Sequence, residues 1–459
     1  MNPVNADQLV DIVRGRLITG KGALPFNGVS IDSRTIQPGN AFFAIAGENF
    51  DGHDYVATAI QKGASCLVVE QEVDMPVQCQ SAWVQVNDCI EALAQFASWY
   101  RQQLTAKVVA ITGSVGKTTT RQILYQILSC FFKCRQARGS FNNHIGLPLT
   151  ILSAEEEDEI LLLELGSNNL GEIQKLTAIA NPDIAIITAV APSHLAGFKS
   201  LDNIIKEKAS IAQGLRTGGV LYLNGDQPDL FDYIKRHFDN RIVTFGENDK
   251  CDVRGVDLET TGGQGSLRIN GHRIPVPLAG KANLSNVLTA WSVCSDLGIS
   301  LENFIEAVQS LKSASMRLEV DNIGPLTIIN DCYNANPASM SNALHCLSSM
   351  VPNTNQRKVF IAGSMAELGS QSESLHEQLG QEAVTEGVCV LLAAGPFSKS
   401  ILKGADRDSC LMCAFDKTEQ LCDNLHKWIQ PDDIVLVKGS RSAGLEKAVQ
   451  RLKELFGNH

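Results

Sequence analysis

Long apolar runs are missing from this chain of 459 residues. No stretch reaches the roughly 18 consecutive apolar residues of a membrane helix, so stable membrane insertion is not expected. Blocks of lysine and arginine are missing too, and the formal net charge is −11. An acidic chain without a basic patch is a poor partner for phosphate backbones, which argues against nucleic-acid binding. The opening residues Met1 to Asp7 lack a basic region followed by an apolar one, so the expected compartment is the cytoplasm. Low-complexity segments and short internal repeats are also absent. What remains is a globular composition, 44% hydrophobic and 19% charged, and a length that corresponds to about three domains.

The 13 cysteines are an odd number scattered along the chain. Without a secretory signal they read as reduced thiols. Cys130 and Cys134 are spaced to share a buried helix face. Cys410 and Cys413 form a lone CxxC with no second pair or nearby histidines, which makes metal or redox chemistry there an unexpected outcome.

The apolar pattern divides the chain near residues 84 and 314, giving domains over 1–84, 85–314 and 315–459. The first opens with a short helix over 7–16, followed by apolar strands and glycine-rich turns, as at 41–47 and 64–70. Apolar positions at helical spacing over 88–103 (Ile90, Leu93, Phe96, Ala97) link it to the second domain. There the β-rich runs Lys107–Thr112, Ile160–Leu163 and Ile184–Ile187 alternate with helical stretches. A third alternation starts near 315, with strands at 326–330, 358–362, 388–393 and 434–437. Such alternation predicts an α/β protein built on parallel sheets with helices on both faces.

The strongest chemical signal is Gly113-Ser114-Val115-Gly116-Lys117-Thr118-Thr119, between the strand 107–112 and a helix over 118–129. Glycines let backbone N–H groups curl around phosphate oxygens, and the helix N-terminus adds partial positive charge. Lys117 would reach the terminal phosphates of ATP, and the Thr118 hydroxyl would ligate Mg²⁺. The stricter form of this motif has a further glycine where Ile111 stands, so this is the short GxxGKT version.

That short loop resembles the form found in the Mur ligase family, ATP-dependent enzymes that build the peptide of bacterial cell walls. The likeness runs along nearly the whole chain. Ser30-Ile31-Asp32-Ser33-Arg34 and Asp51-Gly52-His53 are similar to the family's holder of the UDP end of the substrate. Asn142-Asn143-His144-Ile145-Gly146-Leu147-Pro148, Glu164-Leu165-Gly166 and Ser193-His194-Leu195 match its central domain. Tyr333-Asn334-Ala335-Asn336-Pro337, Met365 to Gly369 with His376, and Lys438-Gly439-Ser440-Arg441 match the branch that adds D-alanyl-D-alanine. Four positions depart from the pattern. Ala282 stands for a histidine, Met316 for a glycine, Ser364 for an aspartate and Ser210 for a glutamate.

The resemblance implies a small α/β N-terminal UDP-binding lobe, a central P-loop-type ATPase domain and a C-terminal Rossmann-like α/β domain. It implies a cytoplasmic ligase, acting as a monomer, that joins D-alanyl-D-alanine to UDP-N-acetylmuramoyl-tripeptide through an acyl phosphate. Carried over residue by residue, Ser30, Asp32, Ser33, Arg34, Asn142, Asn143, Tyr333, Asn334 and Asn336 would touch substrate. Gly113 to Thr119, Asn283, Asn286, Arg317 and Asp331 would bind ATP. Thr118, Glu164, His194 and Lys208 would hold Mg²⁺, the last as a carbamate formed with CO₂, and Lys117, Lys208, His194 and Glu164 form the catalytic set.

Taken alone, these residues allow blander readings. Glu164, as a solvated carboxylate at the end of a strand, can be a loop charge. Lys206-Glu207-Lys208 is an ordinary solvated helix run. Asn283 and Asn286, at i and i+3 on one helix face, can be caps instead of partners for the edge of adenine. Asn334 to Pro337, ahead of a helix near Ser339, can be a turn. Two other functions stay open: a sister ligase adding one amino acid, and a nucleotide-binding regulator with little turnover. The absence of an Asp-Asn-Pro-Arg motif argues against the sister that adds diaminopimelate.

Overall fold

Short apolar strands from distant parts of the chain assemble into three main sheets and a two-stranded ribbon. The computed structural model describes residues 1–71, 80–137, 139–350, 356–406, 408 and 410–457.

The N-terminal lobe is a five-stranded sheet in the order Arg16–Thr19, Ala82–Gln85, Cys66–Val69, Ala41–Phe43, Val29–Ser30. Its last four strands are parallel, and only the Arg16–Thr19 edge is antiparallel. The opening helix spans Ala6–Val13, slightly shorter than its apolar pattern suggests. Helix Cys89–Gln103 starts where the Asp88 carboxylate accepts the backbone N–H groups of Ile90 and Glu91. Its buried face packs with Phe43 and Val68 on one side and with Val108 and Ala110 on the other, in one continuous core. Arg101 locks that joint: 2% exposed, it donates to Asp183 at 2.8 Å and to the Ala180 carbonyl at 3.0 Å.

The central sheet has nine strands, running from Cys134–Gln136 through Ile160–Glu164, Lys107–Thr112, Ile184–Ile187, Val220–Asn224 and Arg241–Gly246 to Val253–Thr261, Gln264–Ile269 and His272–Val276. Pairing is parallel up to Val253–Thr261 and antiparallel in the closing ribbon. Along Val253–Thr261 half-buried and exposed residues alternate over most of the strand, as expected for a sheet margin with one wet face. Helices Lys117–Leu128, Lys281–Asp296 and Leu301–Gln309 cover one face of the sheet.

The C-terminal sheet orders Glu319–Ile323, Leu326–Asp331, Ile434–Lys438, Lys358–Gly363, Val390–Ala394 and Leu411–Phe415. Apolar clusters lie on both of its faces. The lobe opens with an antiparallel hairpin, 319–331, and the strand–helix alternation begins only after it.

One cysteine expectation is overturned. Cys130 and Cys134 share no helix face: the helix ends at Leu128, Cys134 starts an edge strand, and Cys130 is exposed. The spacing was helical, but the chain turns at residues 129–132 to enter the sheet. Cys410 immediately precedes strand Leu411–Phe415 and Cys413 lies within it, and both are free thiols. Burial pushes the Cys410 thiol up to about 11.

Candidate active site

In parallel sheets the carboxyl ends of the strands expose loops that can hold ligands. Here those ends in the central and C-terminal sheets line one cleft of about 960 Å³. The strand Lys107–Thr112 delivers the phosphate loop, and Ile160–Glu164 delivers Glu164. Across the cleft, Leu326–Asp331 delivers Asp331 and the turn that carries Tyr333, while Ile434–Lys438 delivers Lys438.

The phosphate loop needs its glycines. Gly113 has φ +147, and a Cβ there would lie 2.2 Å from the Thr188 hydroxyl. Gly116 has φ +86, and a Cβ would lie 2.8 Å from Asn286 Oδ1. The helix begins at Lys117, directly behind the loop. Lys117 Nζ donates to the Gly113 carbonyl at 2.6 Å, and burial lowers its pKa. Ser114 Oγ is buried without a hydrogen-bond partner. A positive-φ cradle, an unpartnered hydroxyl, a buried cation and a helix N-terminus together fit a nucleotide phosphate.

Glu164 is not a solvated strand-end charge. It is 2% exposed and is gripped by three donors. Asn142 Nδ2 donates to Oε1 at 2.9 Å, and Thr118 Oγ1 donates to Oε2 at 2.9 Å. Arg121 Nε lies 3.4 Å from the same Oε2. Arg121 itself, 3% exposed, also donates to Gln136 Oε1, Ala137 O and Gly139 O at 2.6, 2.7 and 2.9 Å. It therefore ties the phosphate helix to the chain entering the Ser140–Asn143 loop. The sequence hid this role, because an arginine four residues after Lys117 looks like ordinary helix charge.

Lys208 is 1% exposed, so the solvated-helix reading fails. Its Nζ donates to Ser167 Oγ at 2.7 Å and lies 5.4 Å from the centre of the Phe198 ring. Burial, with the Lys117 charge next, lowers its pKa to about 7. Its neighbour Glu207 is buried as well and accepts Gly171 N and Ile173 N at 2.6 and 2.8 Å, tethering the loop ahead of helix Glu172–Ala180. His194 lines the cleft with φ +50, and its Nδ1 pairs with Glu367 from the C-terminal lobe. Among the described residues, no group of three or more His, Cys, Asp and Glu side chains is placed to hold a metal. Thr118 and Glu164 still form a hard oxygen pair beside the phosphate loop. Mg²⁺ commonly takes one or two protein oxygens and completes its shell with phosphates and water, so this pair fits it.

Both helix asparagines face the cleft, and each already has a bond inside the protein. Asn283 Nδ2 donates to Ala279 O at 2.7 Å, and Asn286 Oδ1 accepts the Thr120 hydroxyl at 3.1 Å. Arg317 crosses the lobes: its Nη2 donates to Thr118 Oγ1 at 3.1 Å, and its guanidinium stacks 4.3 Å from the centre of the Tyr333 ring. The Tyr333 hydroxyl meets Ser140 Oγ, closing the same junction. Asp331 is buried against Lys438, Nζ to Oδ2 2.5 Å, and Lys438 also donates to the Asn334 carbonyl at 2.9 Å. Asn336 accepts Ser339 N at 2.8 Å and caps a helix that begins at Pro337, two residues before the expected start. Asn143 Oδ1 accepts Ile145 N at 3.2 Å and Gly146 N at 2.8 Å, holding the turn that enters helix Gly146–Leu152. Asn334 is exposed on the cleft wall.

Ser30, Asp32, Ser33 and Arg34 are not among the residues lining this cleft. They form their own turn, in which Arg34 grips the Asp32 carboxylate at 2.8 Å and stays largely exposed. The family's usual glycine position, Met316, has φ +57, so a bulky side chain sits in backbone that glycine would adopt without strain.

A strand-end phosphate loop, a Thr–Glu pair with a buried carboxylate and a second α/β lobe closing over both define a nucleotide-dependent enzyme of the phosphoryl-transfer class. Three family models match in sequence: the Mur ligase family catalytic domain over 25–101, the Mur ligase middle domain over 111–294, and the Mur ligase glutamate ligase domain over 316–441. UDP-N-acetylmuramoyl-tripeptide–D-alanyl-D-alanine ligases of Bacillus subtilis and Escherichia coli are 32% and 33% identical, over 93% and 99% of this chain and the same shares of their own. A crystal structure of MurF from Acinetobacter baumannii matches at TM-score 0.89, with 29% identity over 99% of both chains. MurF ligase from Thermotoga maritima, solved in complex with ADP, matches at 0.83 with 25% identity, over 93% of this chain and 97% of that one. The chain belongs to the Mur ligase family.

Proposed function

We propose that this chain is a cytoplasmic ATP-dependent ligase that joins D-alanyl-D-alanine to UDP-N-acetylmuramoyl-tripeptide, forming the pentapeptide precursor of peptidoglycan. Relatives of near-full-length coverage carry that name. No helix among the described residues is long and apolar enough to cross a membrane. The observation that carries the reading is the single cleft in which Arg317 joins Thr118 of the phosphate loop to Tyr333 of the opposite lobe. The working unit is taken as a monomer.

Within this reading the lobe 1–84 holds the UDP end through Ser30, Asp32, Ser33 and Arg34. The lobe 85–314 binds ATP, and the lobe 315–459 receives the dipeptide. In the first step an oxygen of the tripeptide's terminal carboxylate attacks the γ-phosphorus and ADP leaves, giving an acyl phosphate. In the second, the dipeptide's amine attacks the acyl carbon, a proton is lost and phosphate departs. Lys117 exchanges its loop carbonyl for phosphate oxygens and offsets their growing charge. The N–H groups of 113–119 cradle the phosphates. Asn283 and Asn286 face the base, Arg317 a phosphate, and Asp331 the ribose. Asn142 and Asn143 approach the acceptor, while Tyr333, Asn334 and Asn336 line the dipeptide's side. Thr118, Glu164, His194 and Lys208 would hold Mg²⁺, which when bound supplies positive charge against the phosphoryl oxygens. Lobe closure keeps water from the acyl phosphate.

Lys208 is the residue of this set that must change chemically. As an ammonium it would repel a metal. As a neutral amine it adds to CO₂, releasing one proton and leaving a carbamate anion. Deep burial favours the neutral amine near pH 7, which supports this reading.

The deciding assay is phosphate release from ATP with UDP-N-acetylmuramoyl-tripeptide, with and without D-alanyl-D-alanine. Release that depends on the dipeptide, and is far slower with D-alanine, diaminopimelate, lysine or glutamate, is expected. A single amino acid as best substrate would move the chain to a sister specificity, and amine-independent turnover would make it a regulator.

A further inference from the structure

His194 is presented on a strained loop. It sits at φ +50, at the start of the four-residue helix Leu195–Phe198, and that loop has no cap of its own. What holds it comes from the other lobe. Glu367 pairs with His194 Nδ1. The Glu367 carbonyl also accepts Ala196 N at 3.2 Å, and the Cβ direction of Gly369 points at Ala196 from 3.6 Å. The segment 365–369 therefore docks on 194–196 through backbone and side chain together. Its own shape is held from behind: His376, fully buried and stacked on Phe397, accepts Met365 N at 2.9 Å. Glu367 has φ +62, so the backbone is turned to aim this carboxylate across the cleft. On His194 the Phe198 ring packs edge-on, and Nε2 has no partner among the described residues.

A histidine that donates Nδ1–H to a carboxylate keeps its lone pair on Nε2 and has its ring orientation fixed, which is how outer carboxylates prepare histidines to bind metal. We propose that Glu367 is a positioning residue for His194, so that closure of the C-terminal lobe completes the metal site of the central lobe. This rests on the assignment of His194 as a Mg²⁺ ligand. It goes beyond that assignment by making the ligand competent only when the 365–369 segment is docked. The lobe that receives the incoming amine then also prepares the central lobe for phosphoryl transfer.

The test measures Mn²⁺ binding by electron paramagnetic resonance, on the full-length protein with β,γ-methylene-ATP, which cannot turn over. Glu367→Ala is expected to weaken Mn²⁺ binding at least about tenfold. Glu367→Gln, whose amide oxygen can still accept Nδ1–H, is expected to recover most of it, and it also serves if the alanine variant folds poorly. The double variant with His194→Ala should bind no more weakly than His194→Ala alone, because both changes remove one interaction. If Glu367→Ala binds Mn²⁺ like the wild type while His194→Ala does not, Glu367 is only a lobe contact and the inference is overturned. If His194→Ala also binds like the wild type, the ligand assignment itself fails.

Discussion

The lysines at the two sheet edges that meet at the cleft are held in opposite ways. On the central edge, Lys117 and Lys208 have no carboxylate within ion-pair distance among the described residues and rest on a carbonyl and a hydroxyl. On the C-terminal edge, Lys438 and Asp331 are register partners on adjacent strands and neutralise each other. Unpaired buried cations are costly in an empty site and favour an arriving anion; a buried ion pair is already satisfied and acts as a fixed pivot. The difference suggests that the central edge is prepared for phosphate, and that the C-terminal edge supplies geometry.

The comparison breaks most visibly at Lys117. Lys117→Ala should cost at least about a hundredfold in kcat, with a thermal unfolding temperature no lower than the wild type's. Near-normal turnover would remove the phosphate-loop assignment. Lys208→Ala should be nearly inactive, and small carboxylic acids should restore part of the rate by standing in for the carbamate; normal turnover would remove that idea.

The pH dependence of stability separates the two edges next. The Lys208 pKa falls from 10.5 to about 7 on folding. Between those values the unfolded chain binds the proton and the folded one does not, so stability rises with pH across that window. In CO₂-free buffer the gain of wild type over Lys208→Met, measured by denaturant titration at pH 7 and pH 10, should be on the order of a few kcal/mol. At the C-terminal edge, Asp331→Asn strands the Lys438 ammonium and should cost about 3–5 kcal/mol. Adding Lys438→Met should recover part of that loss, and equal stability of the single and double variants would show that the pair is not a unit.

Smaller effects sharpen the picture. Arg121→Lys keeps the charge but cannot reach all four acceptors, so the Mg²⁺ concentration giving half-maximal rate should rise several-fold while the ATP KM moves less. Met316→Gly should shift stability least. Relief of the left-handed conformation, about 1–2 kcal/mol, is offset by roughly 0.5–1 kcal/mol of extra glycine entropy, and calorimetry should find a small net gain.

Local signals were legible in the chain. The strand before Gly113 and the helix after Thr118 are adjacent in sequence, and apolar period and glycine spacing encode them without help from the rest of the fold. The central strands 107–112, 160–164 and 184–187 were legible for the same reason, because buried parallel strands are continuous apolar runs. The ribbon 253–276 and the strand Glu319–Ile323 were not, because half-wet margins mix polar with apolar residues. Asn143 and Asn336 carried motif identity, but the turn that Asn143 holds and the helix that Asn336 caps needed coordinates.

By itself, then, the sequence determined the nucleotide loop, the α/β class and the family, since these depend on neighbours within a few residues or on motifs kept in order. Only the tertiary structure decided that Glu164 is buried and triply held, that Lys208 is dry, that Arg121 fastens one site loop to another, and that Glu367 reaches His194. Charge, burial and pairing are properties of what surrounds a side chain. Here those surroundings come from residues tens to hundreds of positions away: 43 between Arg121 and Glu164, 173 between His194 and Glu367. No local pattern encodes contacts of that range, because the sheets that bring them together form only when all their strands have found one another.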